Sequence, residues 1–280
     1  MTGVEFAGDG LGGKMLAAIA RASLAGVGPA AIPASRWLGE GRYRWIERAA
    51  ARRAWGAFNA DVRVSGLHHA REGPFVVLPL HESLVDPLLL ARLPLLLRYV
   101  ARDELFGWPY VGRLLRGGRH LSVPLHLDAG SARALLREVR ESTARGESVV
   151  VFPQGSILGI EVAFHRGGFW LASQLGLPVL PVVLVGTHRL WEYPYSPRLR
   201  RGCPVSVRLL QPIPGDEARH RAAEVEEAMR HLALHDDHAS PRRFVPERDG
   251  YWDGYPYEIA PAFPALSARV AAHRVNAGLH

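Results

Sequence analysis

The residues best placed to do chemistry are His81 and Asp86, in the stretch 76-VVLPLHESLVDPLLL-90. The apolar run at 76–80 predicts a buried strand. A short polar turn with His81, Ser83 and Asp86 follows, and then an apolar helix. Pro87 suits the first position of that helix and Asp86 the capping position before it. With the helix starting there, His81 lies in the loop and can fold back toward the Asp86 carboxylate. In one continuous helix, residues five apart would sit on different faces. An imidazole oriented by a buried carboxylate is a general base able to take the proton of a hydroxyl. The spacing alone does not decide the matter. The same His-x4-Asp spacing recurs at His231 and Asp236, and a helix cap beside a satisfied loop histidine gives the same pattern.

Two later stretches carry further candidates. Directly after an expected strand sits 152-FPQGSILG-159, in which a turn through Gly155 can present backbone N–H groups to an anion or a developing oxyanion. A plain turn reads the same way. In 164-FHRGGFWLA-172, Arg166, Gly167 and Gly168 open a helix, where a phosphate could sit or where Arg166 is a solvated cap. In 231-HLALHDDH-238, His231 and His235 are four apart on an expected helix beside Asp236, Asp237 and His238. That spacing can hold zinc. A polar helix end facing water is the preferred reading, because no second cluster of ligands accompanies it.

Strands expected at 61–67, 75–80, 98–102, 119–125, 148–153, 178–186 and 204–210 alternate with helices at 87–98, 105–116, 129–145, 167–176 and 215–235. Alternation of this kind predicts an α/β fold with a mostly parallel central sheet flanked by helices. The clearest helix is 129–145, where Ala132, Leu135, Leu136, Val139 and Thr143 share a face and Gly146 stands ready to end it. The expected organisation is an N-terminal amphipathic helical segment over 1–60, an α/β domain over 61–239, and a Pro- and aromatic-rich tail over 240–280 packed on the domain.

The chain has 280 residues, 48% of them hydrophobic and 22% charged, with a formal charge of +7 and a pI of about 10.0. Those values fit a globular protein with an anionic partner. The single cysteine, Cys203, excludes an intrachain disulfide and fits a reducing compartment. Arg44, Arg48 and Arg52 fall on one face near Trp37, Trp45 and Trp55, a combination suited to a membrane interface or to a basic face packed on the chain's own core. No apolar run reaches the length of a spanning helix. Zinc-finger, RNP-like and helix-turn-helix patterns are lacking, so the positive charge does not point to nucleic acid.

Taken in order, 81-HESLVD-86, 152-FPQGS-156, 164-FHRGG-168 and 178-PVLPVVLVG-186 resemble the glycerolipid acyltransferase family, whose bacterial type member acylates 1-acylglycerol 3-phosphate. The family motifs are His-x4-Asp, Phe-Pro-Glu-Gly-Thr-Arg, Phe-Lys-x-Gly and a Val-Pro-Val-like strand, and the resemblance covers roughly residues 60–210. It implies transfer of a fatty acyl group from acyl-CoA or acyl carrier protein to the hydroxyl of a lysophospholipid such as 1-acylglycerol 3-phosphate. His81 is then the general base and Asp86 orients it, while Ser83, Phe152, Pro153, Gln154, Gly155, Ser156, Arg166 and Gly167 line the substrates. No metal or other cofactor is implied. The implied location is cytoplasmic, held peripherally against the inner face of the cell membrane. The chain departs from the pattern at Gln154, Ser156 and Ile157, the last standing where the family has an arginine associated with the acceptor's phosphate. The family's second motif usually ends in an arginine near a strand; 119-RHLSVPLHLD-128 has no clean match to it, and Arg119 and His126 are the candidate substitutes there. These departures leave two rivals open: an acyltransferase acting on a non-phosphate or glycosylated lipid, and a catalytically silent membrane lipid-binding protein.

Overall fold

The computed structural model of the chain describes residues 48–49, 51–53, 55–108, 111–126, 128–192, 199–250 and 257–278. Strands β1 (Asp61–Ser65), β2 (Val76–Pro79), β3 (Leu97–Arg102), β4 (Leu121–Val123), β5 (Ser148–Val150), β6 (Val179–Val185) and β7 (Pro204–Leu209) form one sheet in the order β1-β7-β6-β2-β5-β3-β4. Every pairing is parallel except that of β6 with β7. The expected α/β class therefore holds. Parallel neighbours need crossovers, and these are helices: α1 (Asp86–Leu90), α2 (Asp103–Gly107), α3 (Val111–Gly117), α4 (Ala129–Ala144) and α5 (Gly167–Leu175). Helix α6 (Ala222–Leu234) follows β7, and α7 (Pro246–Asp249) and α8 (Pro264–Asn276) belong to the C-terminal segment.

Burial explains the placement of the central strands. Strands β2 and β6 are buried at every residue, as continuous apolar runs in a sheet covered on both faces should be. Edge strand β1 alternates weakly and is mostly exposed. Because β2 lies between β5 and β6, the loops that leave the carboxyl ends of these three strands converge. Doubly wound sheets bind ligands at such a point. Helix α5 lies very close to β2: a Cβ added to Gly168 would stand 2.6 Å from Leu78 Cδ2.

The local differences from the sequence reading have physical causes. The expected helix 87–98 is one short helix, α1, followed by turns through Leu93 before β3 starts at Leu97. The helix expected over 105–116 is two, because Trp108 precedes Pro109 and takes extended angles (φ −69°, ψ 139°). The residue before a proline is disfavoured in the helical region. The helix expected from 215 starts at Ala222, after turns that follow Pro214 and Gly215. Asp86 does not cap α1 from outside. Val85 is the capping residue and makes no side-chain bond, while Asp86 is the first helical residue.

Both ends of the described chain grip the domain. Arg48 donates to the carbonyls of Ala91 and Leu93, and Arg52 to that of Arg92. These two arginines of the basic face thus satisfy carbonyls just beyond α1, and Trp55 is buried in the core. Arg44, Trp37 and Trp45 lie outside the described residues. No described helix is long and apolar enough to cross a membrane. At the other end, Phe244, Tyr257 and Val270 form a second apolar cluster with Ile157, Leu158 and Val162, and Leu84 packs against it.

The close seat of α5 on β2 gives a direct test. Gly168→Ala forces a methyl into the fully buried Leu78, and overpacking of a well-filled core costs about 1–3 kcal/mol. Urea unfolding should show a loss of that size. A loss within experimental error would mean that α5 is free to lift from the sheet.

Candidate active site

The loop between β2 and α1 is folded around one carboxylate. Asp86 is fully buried, and its Oδ2 accepts from the backbone N–H groups of Glu82 (2.8 Å) and Ser83 (3.0 Å). The same oxygen lies 2.8 Å from His81 Nδ1. A carboxylate only accepts, so this contact requires the proton on Nδ1 and leaves the Nε2 lone pair available. The His81 side chain is 14% exposed, enough for its outer edge to meet a substrate while the ring stays packed. The Phe152 ring stacks on the imidazole, with centroids 3.8 Å apart and planes 20° apart. The second His-x4-Asp pair does something else: Asp236 accepts from Ser206 Oγ and from the N–H groups of His238 and Ala239.

Gln154 joins this loop to the next one. It is 1% exposed. Its Oε1 accepts from the His81 N–H at 2.6 Å, and its Nε2 donates to the Gly159 carbonyl at 2.6 Å. Both ends of the amide are used. A glutamate here could accept from His81 but would turn a second acceptor toward Gly159. Gly159 itself has φ +142°, and an added Cβ would lie 2.9 Å from Phe244 N. The backbone of 152–160 therefore runs directly against the C-terminal segment.

The other sequence candidates fall in several places. Ser83 is fully buried; its Oγ donates to the Trp191 carbonyl (2.9 Å) and accepts from Val85 N–H. It fixes the loop from within. The Gly155 N–H, expected to face an oxyanion, is taken by the Phe152 carbonyl at 3.1 Å. With φ +66° at Gly155, the turn closes on itself. Pro153 is buried and its carbonyl accepts from His165 N–H at 2.7 Å. The Ser156 hydroxyl is buried with no hydrogen-bond partner among the described residues. Arg166 pairs with Glu226 at 2.9 Å, and with Gly167 it borders a cavity between the start of α5 and the turn before α6. The Arg119 carbonyl accepts from the Arg98 side chain, and His126 is exposed. His231 and His235 stack with centroids 4.2 Å apart, and His235 Nδ1–H donates to the His231 carbonyl.

Ile157 explains itself by its surroundings. It is 6% exposed, in the apolar cluster that holds the C-terminal segment. A guanidinium at this position would be buried among Leu158, Phe244 and Val270.

Sequence reasoning missed a set of buried charges. Glu82 is 4% exposed. Its Oε2 accepts from Gly186 N–H (2.8 Å) and contacts His188 Nδ1 (3.1 Å), and its Oε1 accepts from Arg242 N–H (3.0 Å). It therefore ties the His81 loop to the end of β6 and to the C-terminal segment at once. Glu161 receives Arg243 and Phe244 N–H, and Arg242 pairs with Asp249 at 2.6 Å. Glu226 receives Phe164 N–H, Arg230 and Arg166. Buried charges persist only when paired in this way. The one local signal was an acidic residue inside an otherwise apolar loop, since Glu82's partners lie 104 and 160 residues away.

Residues 61–185 match the family model described as acyltransferase. These residues belong to the acyltransferase family. The chain is 27% identical over 164 residues to 1-acyl-sn-glycerol-3-phosphate acyltransferase of Limnanthes douglasii, in an alignment covering 57% of each protein. It is 29% identical over 211 residues to lyso-ornithine lipid O-acyltransferase of Pseudomonas aeruginosa, covering 68% of this chain and 76% of that one. The crystal structure of the 1-acyl-sn-glycerophosphate acyltransferase PlsC from Thermotoga maritima superposes with a TM-score of 0.59 at 22% identity, over 78% of this chain and 92% of that one. At that identity the likeness is one of fold. The chain thus spans little more than half the length of the Limnanthes protein. Within this acyltransferase domain, His81 and Asp86 stand at the converging loops of the sheet.

The double use of the Gln154 amide predicts a pH-dependent defect. In Gln154→Glu the new carboxylate opposes the Gly159 carbonyl, and an unsatisfied buried acceptor costs about 1–3 kcal/mol. Burial against a carbonyl raises the new group's folded pKa above the ordinary value of about 4.3. The penalty is then full at pH 7.5 and shrinks as protonation restores a donor. Denaturant unfolding of both proteins at pH 7.5 and pH 5 should show the gap narrowing at the lower pH. An equal gap at both would assign the defect to packing alone.

Proposed function

We propose that this chain is an acyltransferase that moves a fatty acyl group from a thioester, acyl-CoA or acyl carrier protein, to the hydroxyl of a lipid that already carries one acyl chain. The observation that carries the reading is the His81–Asp86 contact of 2.8 Å at the open end of an acyltransferase-family sheet. His81 Nε2 takes the proton of the acceptor hydroxyl as its oxygen attacks the thioester carbonyl. Asp86, accepting from Nδ1–H, holds the tautomer and stabilises the imidazolium. Collapse of the tetrahedral intermediate breaks the C–S bond, the imidazolium returns its proton to the leaving thiolate, and ester and thiol are released. The acceptor is itself the nucleophile, so no serine is acylated. The reaction needs no metal, and the membrane surface is where both lipid acceptor and product reside.

A lysophospholipid such as 1-acylglycerol 3-phosphate is the first acceptor to consider, since several relatives carry that substrate in their names. One observation favours a second acceptor class without a phosphomonoester: Ile157 is buried under the C-terminal segment, where the family motif has an arginine. The relative named for lyso-ornithine lipid makes an acyl amino acid lipid a concrete member of that class.

The test is thiol release from acyl-CoA and from acyl carrier protein across 1-acylglycerol 3-phosphate, lysophospholipids with larger head groups, glycolipids and lyso-ornithine lipid. General-base groups contribute roughly 10²–10⁴-fold, so His81→Ala should lose about that much turnover with an unchanged unfolding transition. Near-normal turnover in that variant would remove His81 from the mechanism. Silence of the folded wild type across the panel would favour a lipid-binding protein without turnover.

A further inference from the structure

A cavity of about 480 Å³ lies outside the His81 loop, walled by Arg166, Gly167, Trp170, Arg219, His220 and Ala223. It sits between the start of α5 and the turn that leads into α6. Its size is within the usual range of small-ligand sites. We propose that it binds the phosphorylated adenosine of coenzyme A, so that acyl-CoA is the acyl donor. This inference rests on the acyl-transfer reading above and selects between its two donors.

Charge is the first argument. Two guanidiniums and an imidazole surround the cavity, and none of its lining residues is acidic. Arg219 and His220 are exposed and make no hydrogen bond or ion pair among the described residues. Arg166 is held by Glu226, but that carboxylate also accepts from Arg230 and from Phe164 N–H. Its charge is shared between two arginines and does not cancel Arg166. Nearby, Glu217 in the turn and Glu224 in α6 both pair with Arg221, while exposed Asp216, which does not line the cavity, accepts only from Glu217 N–H among the described residues. Guanidiniums recognise phosphate through paired N–H donors in a fixed plane.

Shape and composition are the second argument. Trp170 is half-buried and packs partly into the core, which holds the indole in place while leaving part of it in the cavity wall. An aromatic face beside arginines suits a purine ring as well as phosphate. Gly167 leaves the wall open, since an added Cβ there meets nothing within 4 Å. A carrier protein, by contrast, docks on a surface and has no base to fill a concave site.

Position is the third argument. The Phe152 ring stacks on His81, the adjoining Pro153 carbonyl holds His165 N–H, and Arg166 is the next residue. The cavity wall is thus continuous with the loop that backs the imidazole. A donor with its nucleotide in the cavity has an extended thiol arm to lay along this loop toward His81.

Adenosine 3′,5′-bisphosphate, which has no thiol or acyl group, tests the site without turnover. Titrated into the full chain at low ionic strength, it should bind saturably and quench tryptophan fluorescence. Arg219→Ala and Ala223→Glu should each weaken that binding fivefold or more. Both changes are at exposed positions, and an acid in the first turn of α6 favours the helix, so unfolding curves serve as the folding control. In the turnover assay, Arg219→Ala should lower the preference for acyl-CoA over acyl-pantetheine, which lacks the nucleotide, about tenfold. No saturable binding, binding indifferent to both substitutions, or turnover from acyl carrier protein but not from acyl-CoA would each overturn the proposal. Nucleotide binding that depends on Arg219 in a chain without acyl transfer would leave the site standing and remove the reaction assigned to it.

Discussion

The organisation of the molecule depends on a buried carboxylate. Asp86 has no access to water, and an ionised group in that position must be surrounded by donors. The chain supplies them to one oxygen by coiling residues 81–83 back over the start of α1, so that two N–H groups and one imidazole converge on Oδ2, while Oδ1 has no hydrogen-bond partner among the described residues. That requirement sets the loop's path, the helix start and the histidine tautomer together. The neighbours then reach outward. Ser83 fastens to Trp191, and Glu82 to Gly186, His188 and Arg242. A six-residue loop thereby becomes the meeting point of the sheet, the stretch after β6 and the C-terminal segment.

The departures from the family motif form a consistent set once the second loop is included. Gln154 can replace a carboxylate because its two ends have different tasks, one accepting from His81 N–H and the other donating to Gly159. Ile157 suits a site covered by Phe244, Tyr257 and Val270. Gly159 lets the two backbones approach. At Gln154 and Ile157 the loop carries groups that hold its own turn and the segment packed over residues 157–162.

Much of this was legible in the sequence because the signals were local. The apolar runs of β2 and β6, the face of α4 and the alternation of strands and helices give the α/β architecture directly. The His81–Asp86 pair could be read from Pro87, which marks a helix start beside Asp86 and leaves His81 in the loop before it. Other features depended on distant partners. The shortness of α1 came from turns that Arg48 and Arg52 help satisfy from a separate segment. Helix α8 was hidden because it buries only Val270, which leaves almost no periodic apolar face. The closed turn at Gly155 and the carboxylates of Glu82, Glu161 and Glu226 could not be assigned from spacing, because tertiary context decides whether an N–H or a charge is free.

Arg242 N–H reaches Glu82 across 160 residues of chain. Contacts of such separation form late, after loop closure has been offset by nearer ones. During synthesis the sheet through β6 can assemble while the His81 loop still lacks one of its fastenings. Only when the polypeptide has been made past Phe244 can Glu82 and Glu161 both find their partners. A nascent or prematurely ended chain would carry the His81–Asp86 pair on an incompletely anchored loop. The anchoring of the His81 loop is in this way tied to synthesis of the chain past Phe244.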